Sequence, residues 1–280
     1  MASFQIAEVG IRVQADGGAR PAGPEYRPFR DDAADVHVHV SATPETWSPR
    51  GPGGLGHPLF DAESTWSLHD RGDALVFLPY SPGQPDGDGG EAEISRDFSY
   101  VTVFGLPRGA PVLSYPLDEL LFLHLLPDRG GVLLHASAVL WRGRALLFLG
   151  PSGSGKTTLS LLWKKARGVT VLSDDRVALR VKGDEIWASG TPWHGTGRQA
   201  SGQSAPVGGL YLLIKAGANR LRAPHPGEAL RGMFRAAFLP HWDEARVHKG
   251  LFALDAAIAA FPPQVAEFRP ELSAVEELWP

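Results

Sequence analysis

An α/β core running from about residue 110 to residue 280, preceded by a β-rich domain over residues 1–109, is the architecture predicted by three features of the sequence. Between residues 131 and 175 the local patterns follow one order: apolar β run, glycine-rich loop, amphipathic helix, second β run, acidic pair. Over the first hundred residues, short alternating or β-branched runs are separated by clusters of Gly, Pro and charge. Near Pro107 the texture changes, and strongly apolar runs of helical length appear.

Taken in chain order, residues 4–13, 36–40, 74–78 and 98–104 read as strands, because β-branched and aromatic residues alternate or cluster there. Residues 16–35 and 44–58 read as surface loops, with Gly51-Pro52-Gly53-Gly54 the extreme case. His37 and His39 alternate along residues 36–40, so both fall on one strand face within reach of a common metal; without a third ligand they read as a polar face. Asp86-Gly87-Asp88-Gly89-Gly90-Glu91 has the acids and glycines of a calcium loop but neither the twelve-residue ligand spacing nor the closing acid, and reads as a solvated hairpin turn. Residues 117–126 read as a short buried helix opening the second domain, since Asp118 and Glu119 complement the dipole of its first turn and Pro127 ends it.

Residues 131–141 and 145–149 form a hairpin joined by Arg142-Gly143-Arg144. Residues 157–167 are helical and stop at Gly168, and residues 169–172 are a strand ending at Ser173-Asp174-Asp175. Residues 190–209, rich in Gly, Ser, Thr and Gln, read as a loop that stays mobile until substrate binds. A β run at 210–214, helices at 226–238 and 242–261 covering the sheet, and a late strand at 265–268 complete the core. The Trp residues at 141, 163, 187, 193 and 242 read as aromatics packed at core margins, without a chemical duty.

Composition removes several function classes. With 43% apolar and 21% charged residues the chain is globular in composition, and no apolar run reaches the length of about eighteen residues that a membrane span needs. A membrane is not expected as a partner. Zero cysteines exclude disulfides, thiolate metal sites and cysteine nucleophiles. A net charge of −4 argues against nucleic acid as a partner. The opening residues lack the basic region and apolar core of a secretory signal, so a cytoplasmic location is expected.

The chemistry concentrates in Gly150-Pro151-Ser152-Gly153-Ser154-Gly155-Lys156-Thr157-Thr158. A triphosphate is held by backbone amides that all turn inward, which requires little side-chain bulk at Gly150, Gly153 and Gly155. Lys156 supplies a point charge for the β- and γ-phosphates, and the Thr157 hydroxyl is placed to ligate magnesium. Ser152, Ser154 and Thr158 add hydroxyls and amides. Asp174 and Asp175, one helix and one strand later, supply a carboxylate for magnesium and one for a proton. ATP and Mg2+ are therefore the expected cofactors, and phosphoryl transfer the expected reaction.

Leu133-Leu134-His135-Ala136-Ser137-Ala138-Val139, the hairpin, the glycine loop and Leu172-Ser173-Asp174-Asp175-Arg176-Val177 together resemble the HPr kinase/phosphorylase-like kinases, whose P-loop-containing core is related to that of phosphoenolpyruvate carboxykinase. The resemblance extends through Gly190-Thr191-Pro192-Trp193 to Phe268-Arg269-Pro270 and covers about half the chain. It implies that His135 lies beside the transferred phosphate, that one acid is the general base toward a serine hydroxyl and the other serves magnesium. Asp174 is the choice for the base and Asp175 for the metal. A basic residue of the later core is implied as well, with Arg198, Arg220, Arg231 and Arg235 as candidates. Ser189 to Gly195 replaces the Glu-Ile-Arg-Gly-type signature of the HPr-phosphorylating enzymes, so the chain resembles more closely the divergent members that phosphorylate a ribosomally made peptide such as a lasso-peptide precursor.

The expected function is an ATP-dependent P-loop kinase acting on a hydroxyl, with a serine of a protein or peptide precursor as acceptor and a homo-oligomer as an open possibility. The alternatives are a small-molecule kinase with the same core, and a nucleotide-dependent regulatory module in which the β-rich domain recognises substrate or drives assembly. A GTPase switch is excluded, because an Asn-Lys-x-Asp guanine reader is missing and the only asparagine is Asn219.

Overall fold

A computed structural model describes residues 1–33, 35–43, 54–63, 65–79 and 90–280. Residues 86–89 of the acidic glycine stretch, and residues 44–53 of the loop expected over 44–58, lie outside the described residues. The chain divides into two compact units, Met1–Leu125 and Leu126–Pro280.

In the first unit the strands are β1 (Ala2–Ile6), β2 (Val9–Ala15), β3 (Arg20–Ala22), β4 (Val38–Thr43), β5 (His57–Asp61), β6 (Trp66–Asp70), β7 (Ala74–Pro79), β8 (Glu91–Ser95), β9 (Tyr100–Phe104) and β10 (Pro111–Leu113). Eight of them form one mixed sheet in the order β1-β2-β4-β9-β8-β7-β6-β5, and β3 pairs with β10. The β2–β4 and β4–β9 contacts are parallel. The single β run expected over residues 4–13 is a hairpin, because Ala7 and Glu8 take positive φ values of 50° and 62° and reverse the chain in two residues. No Asn or Gly marks that turn, which is why the pattern alone did not break there. His37 lies outside β4 and its Nδ1 accepts from the Gly10 N–H, while exposed His39 stacks on Tyr100. The two histidines thus have different partners.

Helix α1 (Leu117–Leu125) belongs to the first unit, whereas the sequence pattern placed it at the start of the second. Buried polar and aromatic contacts hold it there. The Tyr26 hydroxyl donates to Asp118 Oδ2 at 2.7 Å, and the His124 ring stacks on Phe98 with 4.0 Å between centroids. Burial first, then the adjacent Asp118 charge, push the Tyr26 hydroxyl well above its ordinary pKa. Asp118 is therefore a buried acceptor rather than only a complement to the helix dipole.

The second unit contains β11 (Gly131–Trp141), β12 (Arg144–Leu149), α2 (Lys156–Arg167), β13 (Thr170–Ser173), β14 (Arg176–Lys182), β15 (Glu185–Ser189), β16 (Ser204–Lys215), β17 (Arg220–Arg222), α3 (Glu228–Ala236), β18 (Ala237–Phe238), α4 (Glu244–Ala260), β19 (Gln264–Phe268) and α5 (Ser273–Leu278). Its architecture depends on two long strands that change partners. β11 pairs with β14 along residues 131–135 and with β12 along residues 136–141. β16 pairs with β15 at its start, then with β12 in parallel, then with β19 in parallel. The ladder β12-β11-β14-β15-β16 consequently returns to β12.

Period-two alternation sorts the side chains of these strands into two cores. Leu134, Ala136 and Ala138 of β11 and Ala145, Leu147 and Leu149 of β12 enter a core completed by Met233 of α3 and Ala253, Leu254 and Ala257 of α4. Val139, Leu146 and Phe148 enter the other, beside Leu159 and Trp163 of α2, Trp279 and Phe268. Both faces of β12 are buried, which accounts for its unbroken apolar run. Trp163 is fully buried and packs edge-on to Trp141 with 5.2 Å between centroids. α2 stops where Gly168 takes φ 64° and its N–H bonds the Lys164 carbonyl.

Candidate phosphate-binding site

The strand face opposite the Leu134-Ala136-Ala138 core carries His135 and Ser137, because these residues alternate with the buried ones. Ser137 Oγ donates to the Lys156 carbonyl at 3.1 Å, tying β11 to the start of α2. The glycine loop between β12 and α2 has φ values of 155° at Gly150 and 101° at Gly155. A Cβ on Gly155 would lie 2.6 Å from Phe268 Cζ, and one on Gly150 2.6 Å from Ser154 Oγ. Shape and backbone conformation both demand glycine at these two positions.

Lys156 Nζ donates to the carbonyls of Gly150 at 2.8 Å and Pro151 at 3.2 Å, so the ammonium is folded back across the loop. Burial lowers its pKa; the Asp175 charge opposes that and Arg176 adds to it. Ser154 Oγ is buried with no hydrogen-bond partner. Thr157 Oγ1 lies 3.4 Å from the Asp174 carbonyl.

The two acids that adjoin in sequence have different surroundings. Asp174 is 1% exposed, and its Oδ1 accepts from the N–H groups of Gly195 at 3.0 Å and Gln199 at 3.1 Å while Oδ2 accepts from Gly197 at 2.7 Å. Asp175 reaches the open side of the site, with Oδ1 3.3 Å from His135 Nε2 and Oδ2 bonded to Arg176. Register explains the first contact: His135 on β11 stands opposite Arg176 on β14, which brings Asp175 beside the imidazole. Burial pushes Asp175 up, but the His135 hydrogen bond and the Arg176, His135 and Lys156 charges outweigh it and hold the carboxyl below its usual range.

A cavity of about 310 Å³ gathers these groups: His135, Ser152, Gly153, Gly155, Lys156, Thr157, Thr158, Asp174 and Asp175 line it. His135 also lines a second, larger cavity of about 560 Å³, and Gly150 and Pro151 line that one instead of the first. Residues the sequence pattern did not single out complete the first cavity, namely Gly195, Thr196 and Lys215. Lys215 arrives there because β16 runs parallel to β12, with Leu149 opposite Leu212. That pairing has no local signature. Arg176 stood in view within the Asp-Asp-Arg run, and its guanidinium bonds the carboxylate of its neighbour Asp175.

Of the four candidate arginines, Arg220 pairs with Glu267 at 2.9 Å and Arg198 is exposed in the loop after β15. Arg231 and Arg235 line the larger cavity. The loop expected to be mobile over residues 190–209 ends at residue 203, since Ser204 begins β16. Its remainder is pinned by the three amides on Asp174, by Ser201 N–H on the Leu172 carbonyl at 2.9 Å and by Lys164 on Gln199 at 2.7 Å. Backbone amides facing a buried carboxylate, which side-chain composition does not report, make the difference.

Among the described residues no group of three His, Asp or Glu side chains forms a ready metal site, and no helix is long and apolar enough to cross a membrane. Thr157 and Asp175 face the same cavity and are oxygen donors of the kind magnesium takes together with phosphate oxygens and water.

No protein-family model and no curated protein sequence matches this chain. Among solved structures, the chain is similar to the HPr(Ser) kinase/phosphatase from Coxiella burnetii, with 19% identity over 33% of this chain and 77% of that one, at a TM-score of 0.25. A likeness this partial assigns neither activity nor substrate.

Proposed function

We propose that the second unit is a kinase that transfers the γ-phosphoryl group of ATP to a hydroxyl, most simply the serine of a peptide or protein. The observation that carries this reading is the convergence of the glycine loop, Lys156, Thr157, His135 and Asp175 on one cavity. The free N–H groups at the start of α2 and the positive end of its dipole favour an anion there, and no acid stands in its first turn. The buried Ser154 hydroxyl has no hydrogen-bond partner within the protein and is a donor in the loop itself.

The chain's own groups then divide the work. Lys156 turns from the Gly150 and Pro151 carbonyls toward the phosphates. Thr157 and the phosphate oxygens would hold magnesium, whose charge offsets that of the β- and γ-phosphates when it is bound. The family resemblance led to Asp174 as the choice for the base. Its oxygens, however, already accept three backbone N–H bonds, and using one for a substrate proton would release the loop after β15. Asp175 is the carboxylate left to take the acceptor hydroxyl's proton, with His135 orienting it. The hydroxyl oxygen forms the new P–O bond as the bond from γ-phosphorus to the bridging oxygen breaks, and ADP leaves.

Transfer to serine-containing peptides, read by intact mass after incubation with ATP and magnesium, tests the reading. Lys156→Ala is expected to abolish binding of a fluorescent ATP analogue. Asp175→Asn is expected to keep that binding, with an unchanged magnesium requirement, and to slow transfer by about 10²–10⁴. A raised magnesium requirement in Asp175→Asn would return Asp175 to the metal. Nucleotide binding unaffected by Lys156→Ala would remove the kinase reading altogether.

A further inference from the structure

The second cavity shares His135 with the phosphate cavity and is otherwise lined by Gly150 and Pro151 and by residues of β12, β16 and α3. Its floor is apolar, made by Leu149 of β12 and by Leu212 and Ile214, which share one face of β16. α3 forms the wall and sits very close to the floor: a Cβ on Gly232 would lie 2.7 Å from Leu212 Cδ2. The charges along that wall are unequal. Glu228 is already neutralised, since both its oxygens accept from Arg222, at 2.9 and 3.1 Å, and the His225 N–H adds a third bond. Arg231 and Arg235 are exposed, and neither has an acidic partner among the described residues. The cavity therefore offers an apolar floor beside the reacting centre and two uncompensated positive charges at its rim.

Resting on the kinase reading above, we infer that this cavity is the acceptor site and that its occupant is an extended peptide carrying apolar residues and alternating acidic residues beside the phosphorylated serine. Charge complementarity selects acids. Spacing selects an extended chain: side chains four apart on a helix have Cβ atoms about 5–6 Å apart, and alternate residues of an extended strand lie about 6.6 Å apart on one face. Two acids at alternate positions thus meet Arg231 and Arg235 together, while the serine reaches back toward His135 and Asp175. An apolar side chain between serine and acids fills the floor. Arg231 and Arg235 act here on acceptor choice, leaving Lys156 and Lys215 as the cations that line the phosphate cavity.

Two dye-labelled nine-residue peptides test this, identical in serine and leucines but bearing glutamate or lysine at alternate positions, with binding to the full chain read by fluorescence anisotropy. The wild-type chain is expected to prefer the glutamate peptide, with the preference falling as salt is raised. Arg231→Glu/Arg235→Glu is expected to weaken glutamate-peptide binding about tenfold or more, as charge reversal at an interface does, and to gain binding of the lysine peptide. That gain shows the variant is folded; Arg235→Gln, expected to lose part of the preference, serves if the double variant is not. Equal binding of the two peptides to wild type, an unchanged preference in the reversed variant, or phosphorylation of free hydroxy acids in place of peptides would each overturn the inference. An ATP-analogue titration on the same samples separates the two levels: failure there removes the kinase reading, whereas failure of charge preference with intact nucleotide binding removes only the acceptor assignment.

Discussion

Replacing Asp174 by Asn separates a residue that holds the loop from one that takes the proton. In the wild type its carboxylate accepts three backbone N–H bonds at 1% exposure, two on Oδ1 and one on Oδ2. The amide keeps an oxygen for Gly195 and Gln199 but presents an N–H toward Gly197, so one bond is lost and a donor is stranded. Hydrogen bonds to charged groups contribute about 1.5–3 kcal/mol and a stranded buried donor costs about 1–3 kcal/mol, so the two together place the loss at about 2.5–6 kcal/mol. Urea unfolding of Asp174→Asn checks the magnitude. Hydrogen–deuterium exchange followed by mass spectrometry checks the place: peptides spanning residues 194–203 are expected to exchange at least tenfold faster, with β12 and α2 little changed. If stability and loop protection survive while phosphoryl transfer alone is lost, Asp174 is the base and the division of labour argued above is wrong.

Other consequences follow from single contacts. Gly155→Ala has to place a Cβ 2.6 Å from Phe268 at φ 101°, so it is expected to lower stability by about 1–3 kcal/mol and to weaken nucleotide binding, both readable in one thermal-shift titration. Phe148→Ala removes a fully buried ring that packs against Trp163, Tyr211 and Trp279, and calorimetry is expected to show a loss of about 3–5 kcal/mol. The Arg222 hydrogen bonds, with a smaller contribution from the His225 N–H, lower the Glu228 carboxyl pKa to about 2. A carboxyl lowered in this way adds stability that is complete above its ordinary value of 4.5 and is lost as pH falls toward about 2. Because the Glu228–Arg222 pair keeps contact with solvent, screening keeps the effect small. NMR titration of the Glu228 side chain is expected to place its midpoint well below that of a free glutamate, and Arg222→Gln is expected to raise it.

How much of this was legible in the sequence varies with the range of the interaction that decides it. Short-range signals carried the β11–β12 hairpin, whose turn at Arg142 and Gly143 has φ values of 50° and 75°. They also carried α2 with its Gly168 stop, and the helices α3 and α4, where Asp243 caps α4 by accepting from Arg246 N–H at 3.1 Å. Hydrophobic period and capping residues lie within a few positions of each other, so a linear reading finds them. The same reading joined β1 to β2, because a turn built from Ala7 and Glu8 has no composition signature. It also assigned α1 to the wrong side of the division between units, because the Tyr26–Asp118 contact spans 92 positions.

The glycine loop, with His135 ahead of it and Asp174-Asp175 behind it, is written in the sequence, since each element demands particular residue types at fixed local spacing. What the tertiary structure alone decided is how the parts of that site differ. Strand pairing carried Asp175 to His135, parallel pairing of β12 with β16 delivered Lys215, and three distant amides closed over Asp174. Adjacent residues of one chemical kind came to opposite fates because a strand end points successive side chains in different directions. Which carboxylate stays open to a substrate depends on backbone groups twenty or more residues away, and a local pattern holds no record of them.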